Sequence, residues 1–270
     1  MASASNSPTG TLAIVGGGNM GAALAGGLLA AGVVGPSSLA IVEVSNDRRV
    51  TLESMFPGVS VSSTIPPCSS AVIAVKPPDV PAATAAATSA GARRILSIAA
   101  GVTLRTLESA AGSGVAVVRS MPNTPALVGE GASAIAAGSS ATDDDLRWAE
   151  HVLGSVGMVV RVPEEQLDAV TGLAGSGPAY LFLVAESLIE AGVAAGLPLD
   201  VSDRLVRQLL VGSAALLAQG EAPADLRVKV TSPGGTTAAG LRVLDERALR
   251  QALVDAVAAA TSRSRELGAS

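Results

Sequence analysis

Gly16, Gly18 and Gly21 stand in the spacing G-x-G-x-x-G, directly after the apolar run Leu12-Ala-Ile-Val15 and at the head of a small-residue stretch from Met20 to Ala31. Residues of this type at this spacing can bind a pyrophosphate. The first glycine permits a tight turn, the second lets an anion approach the backbone, and the third lets helix and strand pack closely. The anion then rests on the helix amino end, where unpaired N–H groups and the helix dipole favour negative charge. Asn19 and Met20 fill the variable positions. In a chain with 30 glycines the motif alone is weak, and its place between a predicted strand and a predicted helix gives it weight. Glu43 follows 22 residues after Gly21, about where an acid would grip the ribose 2′-OH of NAD. The next turn, Ser45-Asn46-Asp47-Arg48-Arg49, offers a hydroxyl, an amide and two guanidinium groups to a 2′-phosphate instead. Side chains alternate along a strand, so Glu43 could also face away.

Three further small polar segments are expected at successive strand ends: Ala74-Val75-Lys76-Pro77, Ile98-Ala99-Ala100-Gly101-Val102-Thr103 and Met121-Pro122-Asn123-Thr124-Pro125. An open α/β sheet presents its ligand crevice there. The segments Leu167–Tyr180 and Val230–Thr237 read as small-residue loops that open helices, where backbone N–H and hydroxyl groups can converge on an anion such as a carboxylate. The chain holds one histidine, His151, and one cysteine, Cys68. A His/Cys metal cluster or a Ser-His-Asp triad would therefore rest on a single residue, and no metal site is expected. His151 reads as a surface helix residue and Cys68 as a packed loop residue. The hard chemical step then falls to a bound cofactor, as hydride transfer does.

The elements that must position these residues alternate in the first half. Apolar runs at 12–15, 38–44, 59–61, 70–75, 94–99 and 115–119 predict strands, with helical patterns at 46–55 and 103–110 between them. This order implies a doubly wound parallel sheet of the Rossmann type; 132–137 and 158–162 extend it beyond the parallel core. A helical pattern covers 143–153. After Pro163 long helical patterns dominate, at 178–196, 200–219 and 237–267, the last broken near Asp245. The reading is an α/β protein with a disordered tail over 1–10, a nucleotide-binding domain over 11–163 and an all-helical domain over 164–270. A net charge of −5 without a Lys/Arg cluster argues against nucleic acid as a partner. No uninterrupted apolar stretch reaches the ~18–20 residues that span a bilayer, so no membrane partner is expected. The first ten residues lack the charge and apolar pattern of a leader, and a lone cysteine forms no internal disulfide, so the expected compartment is the cytoplasm.

Taken in order, these segments resemble the pyrroline-5-carboxylate reductase family, from about Leu12 to Leu267. The most specific pieces are Asp168-Ala-Val-Thr-Gly172, Gly175-Ser-Gly-Pro-Ala-Tyr180 and Thr231-Ser-Pro-Gly-Gly-Thr-Thr237. The resemblance implies reduction of 1-pyrroline-5-carboxylate to L-proline, an NAD(P)-binding domain followed by a helical dimerisation domain, and an obligate homodimer that can assemble further. It implies NADPH as the better cofactor, with NADH possible. Carried over by position, Gly16–Gly21, Ala74–Pro77 and Ala99–Gly101 would surround the cofactor, while Glu164, Ser232, Gly234, Gly235, Thr236 and Thr237 would line the substrate pocket. Thr237 would hydrogen-bond the ring nitrogen. The chain departs from the family at Leu226-Arg227-Val228, where an Asp-containing stretch is usual, and at Lys229, where a neutral amide is common; 59–75 is a few residues short. Two other readings stand beside this one. A β-hydroxyacid dehydrogenase would need a basic catalytic residue on a helix, where 178–219 offers Arg204 and Arg207 and no lysine. A dinucleotide-binding module without activity would leave the hydroxyls of 232–237 unemployed.

Overall fold

The computed structural model describes residues 11–269; the tail expected over 1–10 lies outside them. Eight strands form one sheet: β1 (Leu12–Val15), β2 (Leu39–Val42), β3 (Ser60–Ser62), β4 (Ser70–Ile73), β5 (Arg94–Ser97), β6 (Ala116–Met121), β7 (Gly131–Ala137) and β8 (Gly157–Arg161). Their spatial order is β3-β2-β1-β4-β5-β6-β7-β8, parallel throughout except for the antiparallel β6–β7 pair. Val15 lies beside Val42 on one side and Ile73 on the other, so the ends of β1, β2 and β4 are level. These short strands read as unbroken apolar runs because helices cover both faces, and all four residues of β1, β2 and β4 are buried.

Side-chain alternation divides the core into two layers. Leu12, Ile14, Ile41, Val72, Leu96, Val118 and Ile135 pack with α1 (Asn19–Ala30) and α5 (Asp143–Gly154), the latter contributing the buried Trp148. Ala13, Val15, Ile73, Ile95 and Val117 pack on the other face with α3 (Val80–Ser89) and α4 (Leu104–Ala111). Each fully buried Leu, Ile or Val contributes roughly 1.5–3 kcal/mol. The helix α2 (Asn46–Met55) occupies the predicted span, with Ser45 as its cap. Helix α3 carries no clear sequence signal. Its sequence VPAATAAATS is nearly all Ala and Thr, so no polar face contrasts with the buried Val80, Thr84 and Ala87.

The change from strands to helices falls after β8, near Pro163, but the chain packs into two compact units divided elsewhere. One runs to Ser176 and resumes at Ala259; the other is Gly177–Ala258. The expected loop at 167–176 is helical. A short α6 (Leu167–Val170) runs into a π-helical turn at Thr171–Gly175, so most of its N–H groups are spent on the helix itself. The second unit begins with α7 (Gly177–Ala194) and α8 (Leu199–Leu217), joined at Gly196 with φ +101°. Ser202 of α8 donates its hydroxyl to the Ile189 carbonyl at 2.9 Å, close against Gly192. Then come α9 (Pro223–Lys229), which the sequence reading lacked, α10 (Thr236–Glu246) and the start of α11 (Leu249–Ala269), whose residues from Ala259 onward belong to the first unit. The predicted break near Asp245 lies at Arg247-Ala248, where Ala248 takes φ +54°. The helical segments over Glu164–Ala194 together are, by length and composition, long and apolar enough to cross a membrane, although no stretch within them is uninterruptedly apolar. The small and polar residues within them hid this from a search for unbroken apolar sequence.

Candidate active site

The glycine turn fits a dinucleotide. Gly16 has φ +111°, and a Cβ there would lie 2.5 Å from the Ala74 carbonyl oxygen, so strand end and neighbouring turn meet backbone to backbone. A Cβ on Gly21 would collide with the Gly16 carbonyl. At Gly18 nothing lies within 4 Å, which leaves open space over the turn. Helix α1 has no side-chain cap, and the Ala22 N–H to Gly18 carbonyl bond (2.9 Å) leaves the N–H groups of Asn19, Met20 and Gly21 without helical partners. Three donors, a helix dipole and open space form an anion cradle. Ala74–Pro77 and Ala99–Gly101 follow β4 and β5, next in order beyond β1, at the same end of the sheet. The structure thus brings these three expected cofactor segments to one crevice.

Glu43 has a different employment from the one its position suggested. Its Oε2 accepts the Gly17 N–H at 3.0 Å and its Oε1 the Ser45 N–H at 2.9 Å, which ties the glycine turn to the end of β2. Arg48 completes the tie by donating Nε to the Gly17 carbonyl at 2.7 Å. Its terminal nitrogens have no partner among the described residues. Arg49 is spent on the Glu43 and Val44 carbonyls and on Asn46 Oδ1. Ser45 caps α2 by accepting the Arg48 N–H. Of the five polar residues in this turn, Arg48 keeps the most donor capacity for an anion.

Glu164, expected beside the substrate, lies in the first unit and is engaged within it. Its Oε1 accepts from Arg119 Nη1 at 2.8 Å and from the Leu104 N–H at 2.7 Å. Arg119 on β6 is 6% exposed. A guanidinium so buried needs a paired charge, and Glu164 supplies it while holding the start of α4, just after the Ala99–Gly101 turn. Sequence reasoning missed Arg119, although an arginine inside the apolar run Ala116-Val-Val was a signal that something acidic must meet it. It also missed the hydrogen bonds of Asn123.

Ser232–Thr237 belong to the second unit and form an anion cradle of their own. Ser232–Gly235 make a turn closed by Gly235 N–H to Ser232 O at 3.0 Å, with Gly234 at φ +69°. Gly235 opens α10 with no side-chain cap, and the first helical bond, from the Ala239 N–H, leaves the N–H groups of Thr236, Thr237 and Ala238 outward. The Thr236 and Thr237 hydroxyls have no partner among the described residues. Lys229, one of the departures from the family, pairs with Glu221 at 2.6 Å on the surface. His151 is exposed on α5, and Cys68 is buried in a loop where burial pushes its thiol pKa up, away from nucleophilic use.

A parallel sheet ordered β3-β2-β1-β4-β5-β6, with an open glycine turn on an uncapped helix and an all-helical second half, is the architecture of NAD(P)-dependent oxidoreductases. Comparison with known proteins narrows this class. The family model described as pyrroline-5-carboxylate reductase dimerisation matches residues 164–267, and one described as NADP oxidoreductase, coenzyme F420-dependent, matches 11–101. A curated pyrroline-5-carboxylate reductase of Synechocystis sp. is 41% identical, over 95% of this chain and 98% of that one. The solved pyrroline-5-carboxylate reductase of Coxiella burnetii superposes with a TM-score of 0.90 at 32% identity, over 96% of this chain and 98% of the other. That of Plasmodium falciparum, solved with NADP bound, gives 0.83 at 30% identity over the same shares. The chain belongs to the pyrroline-5-carboxylate reductase family.

Proposed function

We propose that this protein reduces 1-pyrroline-5-carboxylate to L-proline with NADPH, as a homodimer in the cytoplasm. The observation that carries the reading is the pair of uncapped, glycine-opened helix amino ends, α1 and α10, in a chain about 40% identical to curated reductases of that name over nearly its whole length. One cradle suits a pyrophosphate and the other a small carboxylate. When bound, the dinucleotide supplies the hydride for the imine carbon. The Asn19, Met20 and Gly21 N–H groups receive its pyrophosphate, with Ala74–Pro77 and Ala99–Gly101 alongside. The Ser232–Gly235 turn and the free N–H groups of Thr236 and Thr237 hold the substrate carboxylate. The Thr237 hydroxyl hydrogen-bonds the ring nitrogen and orients the imine; such orientation supplies several kcal/mol of a barrier. An imine that enters protonated needs no strong acid, which suits a site without histidine.

Arg48 supports NADPH over NADH, since its free Nη groups suit a 2′-phosphate and Glu43 is bound to backbone N–H groups. Glu164 acts behind the site, through Arg119 and α4. The exposed apolar residues of α7 and α8 support self-association, and larger assemblies of dimers remain compatible with it. A single buried cysteine suits a reducing compartment. The test is spectrophotometric. Purified protein should oxidise NADPH only when pyrroline-5-carboxylate is added, do so less efficiently with NADH, and leave NADP⁺ unreduced with 2- or 3-hydroxyacids. Hydroxyacid turnover without imine turnover would overturn the proposal.

A further inference from the structure

Beyond β5 the sheet continues to β6, whose carboxyl end turns at Met121-Pro122-Asn123. The half-buried Asn123 side chain uses both ends of its amide. Its Oδ1 accepts the Ala132 N–H at 2.8 Å, which closes the β6–β7 connection on itself, and its Nδ2 donates to the Ala174 carbonyl at 3.1 Å. One partner is a backbone donor and the other a backbone acceptor, so the orientation of the amide is dictated. Aspartate, ionised at neutral pH, could serve only the first of them. Beside it Met121 packs over Gly175, where a Cβ would lie 2.5 Å from the Met121 Cε. Ala174 and Gly175 end the π-helical turn Thr171–Gly175, a form that recurs at functional sites. One amide thus joins the β6 turn, the start of β7 and the π turn.

Sheet order indicates what this turn serves. The turn after β2, with Arg48, stands on one side of β1; β4, β5 and β6 follow on the other. A dinucleotide with its pyrophosphate on α1 and its 2′-phosphate at Arg48 would run from there toward β4 and β5. The β6 turn is the next strand end beyond those two. We infer that Asn123 is a positioning residue for the imine: by latching the β6 turn to the π turn it fixes the wall against which the substrate is held. This rests on the reading of the protein as an imine reductase.

Two variants test it, Asn123→Asp and Asn123→Ala, each compared with the wild type in imine KM by steady-state kinetics and in NADPH Kd by fluorescence titration. At pH 8 the carboxylate of Asn123→Asp faces the Ala174 carbonyl, and the imine KM rises about tenfold, the effect of one lost hydrogen bond. The NADPH Kd stays within about twofold of the wild type. The same carbonyl disfavours the charged form while the Ala132 N–H favours it. As the pH is lowered through the pKa of the introduced acid, its protonated form can again donate to Ala174 while accepting from Ala132, so the KM ratio to wild type falls back toward one. Asn123→Ala shows the rise without the recovery. Unchanged KM in both variants, or KM and NADPH Kd rising in parallel, overturns the role of Asn123. A wild type that fails to turn over the imine overturns the function itself, and the substrate role of Asn123 with it.

Discussion

Thr237 enters α10 with both its hydroxyl and its N–H lacking protein partners among the described residues, and it is exposed in its own unit. Its removal should therefore cost the fold little and the reaction more. Thr237→Ala is expected to lower kcat/KM by about 1–3 kcal/mol, the range for unpairing a polar partner in a dry site, while NADPH affinity and melting temperature hold. Steady-state kinetics with both substrates varied decides it, and an unaltered kcat/KM would remove Thr237 from the mechanism. Glu164 and Arg119 are the opposite case. They spend their charges on each other and on the Leu104 N–H, so truncating Glu164 leaves the buried Arg119 guanidinium without its carboxylate.

At the next scale, two kinds of helix opening bear on the site. Ser45, Thr103 and Thr142 cap α2, α4 and α5 with their side chains, whereas glycines open α1 and α10 and leave their donors free for ligands. The α5 cap is the most elaborate. Asp145 Oδ2 accepts from the Thr142 N–H and hydroxyl at 2.8 and 2.6 Å, and its Oδ1 accepts from Arg94 Nε at 2.6 Å. Burial pushes the Asp145 pKa up, but the Thr142 hydrogen bonds and the Arg94 guanidinium outweigh it, so the carboxyl titrates below its usual range. A depressed folded-state pKa means that this stabilisation is complete above the unfolded value of about 3.9 and is lost as pH falls through the folded value. Asp145→Ala is expected to cost about 1–2 kcal/mol near neutral pH by thermal or urea unfolding, with the gap to wild type closing toward pH 3. A constant gap across that range would show that the carboxylate contributes nothing as a charge.

Helices α7 and α8 leave most of their large apolar side chains exposed within one chain. Leu181, Phe182 and Leu183 are each more than 60% exposed, Leu205 and Leu209 more than half, and α7 has no buried residue. Monomeric proteins rarely leave so much contiguous apolar surface in water. A second copy is the occupant that a dimerisation family predicts, and it also accounts for the membrane-like composition of the run through α7. Light scattering at assay concentration should find a dimer or a multiple of it. A well-folded, active monomer would contradict this.

Where a property depends on neighbours a few residues apart, the chain could be read directly. The glycine spacing at Gly16–Gly21, the buried runs of β1, β2 and β4, the span of α2 and the Ser-Pro-Gly-Gly turn before α10 all follow from local periodicity and backbone freedom. Helix α3 escaped because an Ala/Thr stretch has no amphipathic contrast, and the helical turns at 167–175 escaped because glycines there looked like loop. The employment of polar side chains was harder to see. Glu43 lies 26 residues from Gly17, Arg119 45 from Glu164 and Asn123 51 from Ala174, and each finds its partner across separate elements. A carboxylate, a guanidinium or an amide advertises its hydrogen-bonding capacity in its formula, but the partner that takes it up is whichever group the sheet order brings within 3 Å. Residue type therefore announced a dinucleotide and a small anion, while packing distributed the charged residues between holding ligands and holding the site together.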